Sequence, residues 1–307
     1  MPHAPGSGKP RQGPGEASVF PLSGMDGPVQ KCPMVWRVAW FEFRRLGIAA
    51  IALCGLLPAP AIAGGCALAP QGEGRVTQVI DARTLRLDDG RDIILAGIEP
   101  IMSDNADDAG KIKANGIAAL SAIVIGRDVT LHGADDTPDR YGRQPALVFV
   151  AGSDTPVQAT LLTQGDALVA ATVTDKDCAA ALFAAEAAAR TGKTGIWSNP
   201  SAIKNAESPG DILSGIGRFG VVEGRVLSVR QAGAMTYLNF GRNWTRGFAV
   251  TIPKRMIATF EAAGISLKSL ENQRIRVRGW IEARGGPNAG PRIEVLRVGQ
   301  VERLGEN

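Results

Sequence analysis

From residue 74 onward, apolar and polar positions alternate in short bursts that switch between the two-residue period of a strand and the 3.6-residue period of a helix. Residues 74–87 are rich in β-forming side chains, and Asp88-Asp89-Gly90 supplies the Asp-Gly turn that joins them to a second strand at 93–98. Ala114, Ile117, Ala118, Ser121 and Ile125 are spaced as one helix face, which predicts a helix over 105–124 that stops at Gly126. Strands follow at 129–132 and 146–150, separated by a polar loop through 138–144. A helix at 157–164 is capped by Gly165, and an Ala-rich helix runs over 177–191 with Asp175 or Asp177 as N-cap.

Pro200, Pro209 and several Gly and Ser mark residues 199–217 as a linker. Beyond it the pattern predicts strands at 219–229, 235–240 and 248–252, a helix at 254–263, and strands at 274–282 and 292–302. Both halves therefore read as β-rich α+β units. The expected architecture is two tandem five-stranded barrels of the OB type, the first carrying three helices. The expected domains are 72–198 and 218–303. Glu-Gly-Arg-Val recurs at 73–76 and 223–226, each time opening a first strand, which supports the tandem reading weakly.

The start of the chain does not fit this pattern. Residues 1–33 are rich in Gly, Pro and Ser and read as a disordered leader, or as a mis-assigned start with Met34 as the initiator. Residues 34–63 have the layout of a signal peptide: Arg37, Arg44 and Arg45, then 12 apolar residues at 46–57, then Ala61-Ile62-Ala63 as a cleavage site. The apolar run is too short for a bilayer, which takes about 20 residues. An exported protein, periplasmic or secreted, is expected, with no membrane-spanning segment after signal removal. Cleavage after Ala63 leaves two cysteines, Cys66 and Cys178. In an oxidising compartment these are expected to form a disulfide, with two unpaired thiols as the alternative. Cys66 also leaves lipidation open, although Ala63 stands where a lipoprotein signal carries Leu.

Charge divides the chain. Residues 64–200 hold 12 Lys and Arg against 18 Asp and Glu, and residues 201–307 hold 16 against 9. The basic half suits a polyanion, or it docks on the acidic half.

Several short motifs carry a family resemblance. Val79-Ile80-Asp81-Ala82-Arg83-Thr84-Leu85 resembles a V-I-D-G-D-T-V/L first-strand motif. Leu95-Ala96-Gly97-Ile98-Glu99 resembles L-x-G-I-D, and Asp139-Arg140-Tyr141-Gly142-Arg143 matches D-x-Y-G-R. With Leu161-Leu162, Gly165, Glu186 and Gly195-Ile196-Trp197, these make residues 72–198 similar to the thermonuclease (staphylococcal-nuclease-like) family. The resemblance implies calcium-dependent phosphodiester hydrolysis, which needs oxygen ligands, a carboxylate base and guanidinium groups on the phosphate. Carried over position by position, it implies a degenerate site. A metal-ligand Asp falls on Arg83, the second ligand on Glu99, one phosphate-binding Arg on Ile94, and the general-base Glu on Met102. Arg143 alone keeps the phosphate-binding identity, and Asp81 takes a structural, backbone-bonding role. No cofactor is expected, or calcium if the site is active, with Glu99 as the residual ligand.

Elsewhere, Asp104, Asp107 and Asp108 read as an acidic surface loop rather than a replacement metal cluster. His3 and His132 do not make a zinc or catalytic site. Arg274, Arg276 and Arg278 alternate with apolar residues, which places three guanidiniums on one strand face. With Trp280 they form a candidate binding surface for single-stranded nucleic acid or another polyanion. Three functional readings follow: a degenerate nuclease acting as a polyanion-binding or scaffold module, an active calcium-dependent nuclease, and a purely structural envelope protein.

Overall fold

The computed structural model describes residues 68–103, 105–285 and 289–305. The expected leader and signal peptide, Cys66 and Asp104 lie outside the described residues. The first half runs β1 (Ala69–Asp81), β2 (Thr84–Leu87), β3 (Asp92–Leu95), β4 (Ile98–Pro100), α1 (Ala106–Val124), β5 (Asp128–Gly133), β6 (Arg143–Val150), α2 (Val157–Gln164), β7 (Ala167–Val169) and α3 (Lys176–Gly192). Strands β1-β2-β3-β6-β5 close on themselves as a barrel, while β4 and β7 pair separately as a two-stranded sheet. The barrel interior is filled by apolar side chains such as Leu85, Ile93, Leu131 and Val148, all buried.

Local chemistry sets the helix ends. Asn105 caps α1 by accepting from Asp107 N, and Asp175 caps α3 by accepting from Cys178 N. Gly165 ends α2 in the left-handed region at φ 71°, and a Cβ there would lie 2.3 Å from the Thr194 carbonyl oxygen, so only glycine fits. Gln158 is fully buried on α2. Its amide donates to Ala146 O and Ala96 O and its carbonyl oxygen accepts from Val148 N, which ties the helix to the barrel wall.

The second half differs from the expected second five-stranded barrel. It runs β8 (Ile203–Asn205), α4 (Pro209–Leu213), β9 (Phe219–Arg225), β10 (Ser228–Ala232), β11 (Met235–Asn239), β12 (Ala249–Pro253), α5 (Ile257–Ala262), β13 (Arg274–Ala283), β14 (Pro291–Glu294) and β15 (Val301–Arg303). These eight strands form one sheet ordered β10-β11-β12-β14-β13-β9-β8, with β15 also on β13. The long strand β13 is the hub: its first part pairs with β9 and β15, and its last residues pair with β14. Reading 219–229 as one strand and 292–302 as another undercounted the strands, because each contains a break that apolar residues bridge.

Residues 199–217 are not a plain linker. They carry β8, which pairs parallel with β9, and α4, whose Ile212 is fully buried. The two halves also share a core, in which Leu168, Ala170, Ala189 and Trp197 of the first pack with Phe219 and Val221 of the second. Burial of that apolar surface favours one joined structure. Among the described residues no helix is long and apolar enough to cross a membrane.

Candidate functional site

The turn between β1 and β2 places Asp81 and Arg83 at one rim of the barrel, and β4 brings Glu99 beside them. Asp81 Oδ1 accepts from Arg83 N at 2.9 Å, so this carboxylate shapes the turn as its backbone-bonding role requires. Arg83 Nη1 lies 2.6 Å from Glu99 Oε1 and also reaches the Ile98 carbonyl oxygen at 3.4 Å. Both partners are largely buried, with side chains 24% and 11% exposed. Burial pushes the Glu99 carboxyl above its ordinary range, against the pull of the Arg83 guanidinium.

Arg143 opens β6. Its Nε and Nη2 donate to Asp139 Oδ2 at 3.0 and 2.7 Å, while its backbone N donates to Asp139 Oδ1. This fork holds the Asp139 carboxyl at about 2, well below the usual carboxylate value. Gly142, at φ 77°, makes the turn that returns Arg143 to its Asp. The Tyr141 ring is exposed and lies under the Arg140 and Arg143 guanidiniums, at 4.7 and 5.1 Å.

Asp81, Arg83, Glu99 and Arg143 line a cleft of about 440 Å³. Arg83, Glu99, Met102 and Arg143 contribute from the first half, and Arg218 and Trp280 from the second. Met102 is 45% exposed and Trp280 43% exposed, and the Trp280 ring packs edge-on against Phe219 at 6.1 Å. The structure therefore brings Arg83, Glu99, Met102, Arg143 and Trp280 together. It does not bring in Ile94, which is half-buried on β3 opposite Thr84 and Pro145. Lys113 on α1 and Arg218 also line the cleft, and neither was singled out from sequence. Lys113 lies one helical turn after Ala109, a spacing that places both on one face of α1 and was the available signal.

The donor set does not suit a calcium ion, which takes 6–8 oxygen ligands. Glu99 and Asp81 are already committed to Arg83. Among the described residues no group of three or more His, Cys, Asp or Glu is placed to hold a metal. A guanidinium about 4 Å from a cation costs roughly 4 kcal/mol per pair of unit charges near a protein surface, and twice that for a dication.

The candidate arginines of β13 are placed quite differently from one another. Arg274 is exposed. Arg276 is mostly buried and bridges Glu223 and Glu302, its Nε 2.6 Å from Glu223 Oε1 and its Nη1 2.7 Å from Glu302 Oε2. Arg278 departs from the expected solvent-facing row. It is 1% exposed and its Nη1 donates to Glu186 Oε1 and Oε2 at 3.0 and 2.8 Å, because α3 covers that face of the sheet. It is thus a contact between the two halves and is closed to an external polyanion.

A closed five-stranded barrel with trailing helices and a D-x-Y-G-R turn on its rim defines the thermonuclease-like class of domain. Residues 107–199 match the family model for staphylococcal nuclease homologues, which supports a thermonuclease-like family for this part of the chain. The matched stretch contains Arg143 and begins after Arg83, Ile94, Glu99 and Met102. None of the curated proteins matches the chain.

Proposed function

We propose that this is an exported, catalytically degenerate member of the nuclease family that binds a polyanionic strand, single-stranded nucleic acid above all, without cleaving it. The observation that carries this reading is the Arg83–Glu99 ion pair, at 2.6 Å, in the position of the family's metal ligands. Met102 stands in the general-base position, and a thioether takes no proton from water. The cleft keeps the means to bind. Arg143, Lys113 and Arg218 surround it, and Trp280 offers a half-exposed indole to a base. Cofactor-free binding follows from the same donor set.

Export implies an oxidising compartment, and the bridge Cys66–Cys178 belongs to the proposal. Cys178 is buried in the first turn of α3. Leu68 and Thr174 line one cavity of about 200 Å³, which puts the chain just after Cys66 beside the chain just before Cys178. The Arg278–Glu186 contact supports a structural role for part of the basic half, so the cleft carries the ligand and β13 carries the joint.

Binding is tested by fluorescence anisotropy of labelled single-stranded DNA and RNA with the exported chain, residues 64–307. The logarithm of the affinity should fall linearly with log salt as counterions are released. Trp280→Ala should weaken it by about 1–3 kcal/mol, the range for one stacked base. Binding that ignores both Trp280→Ala and Arg143→Ala would place the strand elsewhere.

A further inference from the structure

A second cluster of cations lies at the opposite end of β13 from Trp280, away from the nuclease-like cleft. Three neighbouring strands each put an arginine at the same sheet end: Arg225 ends β9, Arg274 begins β13 and Arg303 ends β15. Arg274 and Arg225 are direct cross-strand partners, and Arg303 pairs opposite Ile275. Like charges directly opposite each other in a sheet are destabilising. The fold keeps them together nonetheless, at the mouth of a groove of about 580 Å³.

The carboxylates in this groove do not neutralise them. Glu223 and Glu302 are both engaged by Arg276, at 2.6 and 2.7 Å. Arg274 reaches Glu223 only at 3.8 Å. Arg225 is steadied by the Asn272 carbonyl oxygen at 2.8 Å, and Arg303 by Ser269 Oγ at 3.0 Å. Among the described residues neither has a carboxylate partner. Among the described residues Arg225, Arg274 and Arg276 share one face of the sheet in this groove with Glu223 and Glu302, an excess of one positive charge, whereas Arg303, opposite the buried Ile275, turns to the other face and reaches Ser269. Guanidinium forks match tetrahedral oxyanions with two N–H donors each.

We propose that the cross-strand pair Arg225 and Arg274 forms a binding site for a dianionic phosphate, either the free ion or a phosphate monoester. The site is independent of the nuclease-like cleft and of whether that cleft turns over. A bound dianion offsets the local positive charge and relieves the Arg225–Arg274 repulsion, so occupancy should also stabilise the fold by mass action.

The test is calorimetric titration of the exported chain with inorganic phosphate and, separately, with phenyl phosphate, each at ionic strength held constant with chloride. Saturable binding is expected, lost at least tenfold in Arg225→Gln/Arg274→Gln and retained in Arg143→Ala. The double variant should fold, since it removes like-charge repulsion, and its melting temperature should no longer rise with phosphate. Tighter binding of phenyl phosphate would assign the monoester as the ligand, and equal or tighter binding of phosphate the free ion. No saturable binding of either probe, or binding unchanged in the double variant, would overturn the site.

Discussion

Replacing Arg278 with alanine is expected to destabilise the chain by about 3–5 kcal/mol, the range for breaking a buried ion pair from one side. The guanidinium is 1% exposed and lies 4.7 Å from the Phe183 ring, with Nη1 donating to Glu186 and to the Val169 carbonyl oxygen at 3.1 Å. Glu186 is fully buried and also accepts from Val169 N at 2.8 Å and from Arg190 Nη1 at 2.6 Å. Loss of Arg278 leaves that carboxylate with Arg190 as its single cationic partner, and removes packing on Phe183 as well. Arg278→Lys should recover little, because a point charge does not reproduce the planar contact over the ring. The effect is read from urea unfolding of the variant beside the parent. A loss below about 1 kcal/mol would mean that the joint between the halves rests on the shared apolar core alone.

The second large effect is a gain. Arg83→Asp should confer calcium affinity, detected as calcium-dependent stabilisation, because it replaces the cation at the metal position with a ligand and releases Glu99 from its ion pair. It should not confer cleavage, since Met102 still lacks a base. Adding Met102→Glu should then raise calcium-dependent hydrolysis of single-stranded DNA, with Arg143 as the phosphate-binding guanidinium of the cleft. A positioned base is worth roughly 10²–10⁴-fold and an electrostatic stabiliser about 10²–10³-fold, without simple multiplication between them. An Arg83→Asp variant with no calcium response would show that the missing oxygen ligands, not the guanidinium, decide metal binding.

What the sequence shows well is what is local. The D-x-Y-G-R turn, the αL glycine at the end of α2 and the Asp175 cap each involve residues within a few positions of one another, and each stands as expected. The first barrel was legible for the same reason, since its strands alternate cleanly and its turns carry Gly or Asp. The second half was harder. Alternation along β13 gave the right face for Arg274, Arg276 and Arg278, but not what covers it. An arginine facing water and one facing Glu186 of a helix 92 residues away have the same local pattern. The Pro, Gly and Ser of 199–217 masked the half-buried Ile203, which lies beside β9, and the fully buried Ile212. The cleft was half legible: its lost motif positions follow from the resemblance, whereas Trp280 and Arg218 join it only through the packing of one half on the other.

The central claim is that binding survives in this domain without turnover. It is tested by incubating residues 64–307 with single-stranded DNA and RNA, with and without calcium, and following cleavage and binding in the same samples. Salt-sensitive binding, no calcium dependence and intact strands are expected. Calcium-dependent cleavage by the unmodified chain would contradict it, and would return Glu99 to the role of metal ligand.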